Sequence, residues 1–238
     1  MATTEPRLVT VRYAVARAHD DWAIGADDEL MPETNAHHDR AGQVEALLTG
    51  WAERSGRAIQ VGGNLAVRWD RERPSVGVDP DVYAVEPPPP EGRQVRSLRM
   101  WLPGHTPPLL AVEIVSGGRK DSTIGPEKYA ASGTSELWVF DPELAGPHTR
   151  GGPFRLQLWC RTGDAELSRE YAGPGPFRSR VLDAWVFAVD EGQRLRIADD
   201  EQGTSWWRTP LEAARERADA AQTRIAELEA ELGRRPPR

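Results

Sequence analysis

Apolar and polar positions alternate along this chain with two different periods, and the change of period marks out its elements. In HHDRAGQVEALLTGWAER (residues 37–54) the apolar residues Val44, Leu47, Leu48 and Trp51 recur at helical spacing on one face. Asn35 is placed to cap that helix. AIQVGGNLAVRW, Ala58 to Trp69, alternates as a strand with a glycine-marked bend. DPDVYAVE, Asp79 to Glu86, opens on turn residues and becomes a β-branched and aromatic run, a strand with Asp81 at its start. The prolines Pro87 to Pro90 end it, and the segment through Pro108 reads as a long loop. LLAVEIVS, Leu109 to Ser116, is nearly continuous in apolar residues, the pattern of a strand covered on both faces. STIGPEKYAASG predicts a short helix with Pro126 in its first turn and Gly133 after its end. ELWVFDPE, Glu136 to Glu143, is another buried strand. The core order is therefore helix, strand, strand, strand, helix, strand.

LVTVRYAV near the start is strand-like, and FRLQLWCR, AELSREYAG and VLDAWVFAVD add strands that extend the sheet or form a small β layer. From Pro210 the period changes again. Leu211, Ala214, Ala218, Ala221, Ile225, Leu228 and Leu232 alternate in steps of three and four, a seam of about three heptads flanked by Glu, Arg and Asp. This predicts a coiled-coil-like helix, covered by a second copy of itself or by the body of the domain. The expected division is a main domain over residues 1–204 and a C-terminal helix over 205–238.

Composition narrows the picture. With 238 residues and 39% apolar content the chain can bury one sizeable core. A single cysteine, Cys160, excludes an intrachain disulfide. No run approaches the roughly 20 apolar residues of a membrane span, so the expectation is a soluble cytoplasmic protein. The net charge of −7 excludes an indiscriminate grip on nucleic acid but leaves room for a local basic groove. Of the 30 basic residues only Lys120 and Lys128 are lysines, and both follow Glu113 closely.

Glu113 is the anomaly: a carboxylate inside an apolar strand costs several kcal/mol unless something pairs with it. It reads either as the inward charge of an edge strand or as part of a site. Four short motifs favour the site. MPETNAH (Met31 to His37), PDV (Pro80 to Val82), PPLLAVEIVS (Pro107 to Ser116) and YAASGTSELWVFDP (Tyr129 to Pro142) follow one another in that order. In motifs and element order the chain resembles the Uma-type restriction endonuclease family of the PD-(D/E)XK nuclease superfamily, over roughly residues 29 to 190.

The resemblance implies an α/β, restriction-endonuclease-like mixed sheet with a helix-strand-strand-strand-helix-strand core, extra C-terminal strands and the C-terminal helix as an appendage. It implies a Mg²⁺ ion, with Mn²⁺ able to substitute, held by Asp81, Glu113 and the carbonyl of Ile114. A lysine then assists the attacking water. The superfamily's lysine position, two residues after the Glu, is Val115 here, and Lys128 on the following helix is the first substitute, with Lys120 in the glycine-flanked loop the second. For single residues the plainer readings stand alongside: Asp81 as a turn cap, Lys128 and Glu45 as solvated helix residues, and the ligand-like His37, His38 and Asp39 as ordinary helix-start residues.

Arg93, Arg96 and Arg99, with Trp101 and His105 in the long loop and Lys120 beyond it, are candidates to meet a phosphate backbone. The expected function is metal-dependent hydrolysis of DNA phosphodiester bonds by a homodimer paired through the C-terminal helix. The competing expectation is a catalytically degenerate nuclease fold that acts as a binding or scaffolding module through that helix.

Overall fold

A computed structural model of the chain describes residues 9–12, 35–115, 125–146 and 151–233, with side chains through residue 230. Its elements are β1 (Val9–Arg12), α1 (Asn35–Ser55), β2 (Gln60–Gly62), β3 (Ala66–Arg68), β4 (Gly77–Val78), β5 (Val82–Val85), β6 (Ser97–Arg99), β7 (Leu110–Ile114), α2 (Pro126–Ser132), β8 (Glu136–Phe140), β9 (Leu156–Gly163), β10 (Glu166–Gly173), β11 (Phe177–Ser179), β12 (Ala184–Val189), β13 (Arg194–Ala198) and α3 (Pro210–Gly233). Two compact units result, Met1–Trp207 and Arg208–Arg238.

The first unit is built on a seven-stranded mixed sheet in the order β1-β10-β9-β8-β7-β5-β2. Only β7 and β8 are parallel, joined by the crossover that carries α2; every other pair is antiparallel. Strand alternation splits the core between the sheet's two faces. On one face Val82, Ala84, Leu110, Val112, Ile114, Trp138 and Phe140 pack with Val44, Leu47, Leu48 and Trp51 of α1 and with the small sheet β11-β12-β13. On the other, Tyr83, Val85, Ala111, Val115, Leu137 and Val139 pack with Tyr129 and Ala130 of α2 and with the small sheet β4-β3-β6. Cover on both faces explains why β5 and β8 are buried along their whole length and read as apolar runs, in β8 after its first residue, Glu136.

The structure corrects three expectations. Ala58 to Trp69 is not one bent strand: β2 joins the main sheet and β3 the small one, with Gly63 and Asn64 between them. The long loop is not structureless, since it holds a 3₁₀ turn at Gly92–Gln94 and then β6, which runs parallel to β3. β7 is flanked by β5 and β8, so Glu113 does not guard a sheet edge. The short helix is as expected: Pro126 lies in the first turn of α2, and Gly133 ends it with φ 86°, a conformation open to glycine. A Cβ at Gly133 would also lie 2.7 Å from Cγ of Pro107.

In the second unit α3 runs as one helix, and its side chains from Ala214 through Ala230 are all solvent-exposed. Among the described residues no helix is long and apolar enough to cross a membrane.

Candidate active site

The site is set by the register of two strands. β5 and β7 pair with Val82 opposite Val112 and Tyr83 opposite Ala111. Asp81 immediately precedes β5, and Glu113 lies on β7 one residue beyond the last paired position, Val112. Asp81 is buried. Its Oδ1 lies 3.0 Å from Nε2 of His37, also buried, and its Oδ2 accepts the backbone N–H of Ile114 at 2.6 Å. The second bond ties the carboxylate to β7 itself, and the first ties it to the opening turn of α1. Glu113 is half-buried, and its Oε1 accepts the hydroxyl of Tyr129 on α2.

Tyr129 reports on the field in this corner of the molecule. Burial is the main cause that pushes its hydroxyl well above the usual tyrosine range, and the charges of Glu113, Asp81 and Asp79 push it further the same way. The hydroxyl therefore stays protonated and serves as a donor. Three carboxylates converge electrostatically on one ring, and Asp79 is the outermost, exposed and paired with Arg68 at 3.0 Å. The hydrogen bonds of the Asp81 carboxylate go to His37 and to the Ile114 N–H of β7.

Glu45 approaches from α1. Gly63 comes so close to β5 that a Cβ there would lie 2.7 Å from the carbonyl oxygen of Asp81 and 3.5 Å from Oε2 of Glu45. Glycine is required at 63 for space. In Gly63→Ala the contact with the Asp81 backbone forces the strands apart, with an expected loss of about 1–3 kcal/mol of stability and a rise in the metal concentration needed for activity. Thermal melts and a metal titration check both, and unchanged values in each would show that this close approach does not support the site.

The donor set suits a hard divalent cation. Carboxylate oxygens carry two acceptor directions each, and each Asp81 oxygen makes one hydrogen bond among the described residues. Mg²⁺ characteristically takes one or two carboxylates and keeps several waters, which Asp81, Glu113 and the Ile114 carbonyl can provide. Among the described residues no three His, Cys, Asp or Glu side chains gather into a cage for a metal.

The remaining candidates are distributed unevenly. Lys128 is half-buried on α2, one residue before Tyr129. Val115, at the superfamily's lysine position, is buried in the core on the α2 face, and its N–H donates to the Phe140 carbonyl at 2.8 Å. Arg93, Arg96 and Arg99 are all exposed. Arg93 and Glu45 both act electrostatically on Tyr83, whose hydroxyl is pushed up chiefly by burial. Arg99 acts on Glu91. His105 is not available to a nucleic acid: it is buried, accepts the Arg99 N–H at Nδ1 (3.1 Å) and sits 3.2 Å from Glu91. Lys120 lies outside the described residues. The sequence pattern passed over His37 and Tyr129 as partners of the two acids, although both occupy motif positions.

A mixed sheet with α1 packed on one face and the crossover helix α2 on the other is consistent with the restriction-endonuclease-like class of folds. The family described as "Uma2: Putative restriction endonuclease" matches residues 21–146, over half of the chain, and the chain belongs to this nuclease family. No curated protein matches it. Among solved structures it is similar to the crystal structure of a putative nuclease belonging to DUF820 from Anabaena variabilis ATCC 29413, with a TM-score of 0.43, 13% identity, and coverage of 64% of this chain and 75% of that one.

Proposed function

We propose that the protein is a metal-dependent endonuclease that hydrolyses DNA phosphodiester bonds. The observation that carries this reading is the bond from the Ile114 N–H to Asp81 Oδ2, which ties one carboxylate to the residue next to the other, Glu113. A Mg²⁺ or Mn²⁺ ion bound there would supply a water made nucleophilic near neutral pH and charge to stabilise the transition state. Asp81, Glu113 and the Ile114 carbonyl would hold it. His37 and the Ile114 N–H fix the Asp81 carboxylate, and the Tyr129 hydroxyl fixes Glu113, so neither acid has to reorganise when substrate arrives.

Lys128 comes from the helix turn that carries Tyr129, and its role is to orient the attacking water or to stabilise the phosphorane charge. Lys128→Ala is expected to lower kcat by about a hundredfold to ten-thousandfold with metal affinity unchanged. Steady-state cleavage together with calorimetric metal titration separates the two, and a variant that cleaves at the wild-type rate removes lysine assistance from the scheme. Arg93, Arg96 and Arg99 contact the phosphate backbone, joined by Lys120. Two subunits pair through α3, so truncation after Trp207 should halve the mass seen in light scattering.

The direct test is cleavage of a supercoiled plasmid by the wild-type chain in Mg²⁺ or Mn²⁺ against EDTA. The competing reading, a degenerate nuclease fold that binds without cutting, is favoured by one observation: Val115 is core, so the usual lysine position is lost. Absence of metal-dependent cleavage by well-folded protein would establish that reading instead.

A further inference from the structure

The seam of α3 is open to solvent, with Leu211 60%, Ile225 55% and Leu228 42% exposed. A helix of this length with a bare apolar stripe gains stability chiefly by covering it. What covers it can be read from two asymmetries along the helix. The first is size: after Leu211 the seam runs through Ala214, Ala218 and Ala221, and then through Ile225 and Leu228. The second is charge: the positions flanking the seam are Arg215 and Arg217 early and Glu229 late.

Resting on the reading that two subunits pair through α3, we infer that they do so antiparallel, each alanine of one seam meeting an isoleucine or leucine of the other. With the two-fold axis at Thr223, Ala218 faces Leu228 of the second copy and Ala221 faces its Ile225, and symmetry repeats both layers. Each of these layers then joins one small and one large residue, and the helices keep an even separation through them. A parallel, in-register pair would stack alanine on alanine through three successive layers, from Ala214 to Ala221, and Ile or Leu on themselves in the next two. Helix separation follows side-chain size, so that pair would have to splay.

Charge selects the same orientation. Antiparallel pairing sets Arg215 against Glu229 of the second copy, twice, and opposes the helix dipoles. Near the axis Gln222 meets Gln222 and Arg224 meets Arg224. That like-charge contact is tempered within each helix, where Arg224 is paired with Glu227 at 2.9 Å. A parallel pair gains Arg224 against Glu229 but gathers all four copies of Arg215 and Arg217 at one end.

Cysteine cross-linking in the full chain tests the orientation, because the native Cys160 is buried and does not compete. Ala218→Cys and Leu228→Cys are made separately. In the antiparallel pair each new cysteine lies on the order of 15 Å from its own copy along the axis, beyond the roughly 7 Å Cα reach of a disulfide. Neither variant alone should cross-link under mild oxidation, and an equilibrated mixture should yield a covalent species of twice the chain mass. Cross-linking of either variant by itself overturns the inference in favour of parallel pairing. A twofold mass lost on truncation after Trp207, without cross-linking of the mixture, overturns this register and leaves the dimer standing. A monomeric wild-type mass overturns both.

Discussion

Asp81→Asn and Glu113→Gln should each reduce Mg²⁺-dependent cleavage by about a thousandfold or more while leaving the protein folded. A bound cation contributes several kcal/mol of transition-state stabilisation, and each 1.36 kcal/mol is tenfold in rate. Removing one of two carboxylates forfeits most of that. Asparagine is the informative replacement at 81. Its carbonyl still accepts the Ile114 N–H, and its amide can donate to His37 Nε2 once the ring takes the other tautomer. Alanine would instead strand two buried groups and confuse lost stability with lost chemistry. Cleavage rates read beside melting temperatures separate the two effects. A variant that keeps more than a tenth of wild-type activity at an unchanged melting temperature would mean that its carboxylate is not a ligand.

Glu136→Ala should be the most damaging single change to the fold. Glu136 is 1% exposed and sits at the start of β8. Its Oε1 accepts Trp138 Nε1 at 2.6 Å and Ser179 Oγ at 2.5 Å, and its Oε2 accepts the N–H groups of Arg180 at 2.9 Å and Val181 at 3.2 Å. Burial pushes this carboxyl up and the four hydrogen bonds pull it down, with burial the larger influence. The side chain joins the main sheet to the turn that follows β11. Its loss leaves buried donors unpaired at about 1–3 kcal/mol each, and allowing for relaxation the expected cost is roughly 3–5 kcal/mol. Glu136→Gln should fall between, because its amide turns a donor toward two backbone donors. Urea denaturation checks the ranking, and a loss below about 1 kcal/mol for alanine would show that the turn is held by other contacts.

These two glutamates show what the sequence does and does not disclose. Glu113 stood out because a charge inside an apolar run is costly, and that local anomaly led to its partner strand. Glu136 opens an equally apolar strand, but three of its four partners lie more than forty residues downstream and no local pattern names them. The periods of α1, α2, β7, β8 and α3 were legible because each buries one stripe or both faces of a regular element, or in α3 repeats an apolar seam. β2 and β3 were not separable, because alternation looks the same whichever sheet a strand joins. β6 was hidden in the loop by its brevity, Ser97–Arg99. His37 and Tyr129 escaped for a related reason. A histidine at a helix start and a tyrosine on an apolar helix face are ordinary core residues until the fold brings Asp81 and Glu113 against them.

The family motifs consequently divide into two kinds of residue. His37, Asp81, Glu113 and Tyr129 form the candidate site, whereas Gly133, Glu136 and Asp141 hold the frame. Asp141 is buried and accepts the N–H groups of Ala145 at 2.9 Å and Gly146 at 2.8 Å, closing the turn after β8.

The central claim is that two acids from neighbouring strands share one divalent ion, and anomalous diffraction from crystals soaked in manganese tests it most directly. The expected map has a single peak bonded to oxygens of Asp81 and Glu113 and to the Ile114 carbonyl, lost in crystals of Asp81→Asn. A map without a peak between these strands, or with the two carboxylates turned apart, would contradict it.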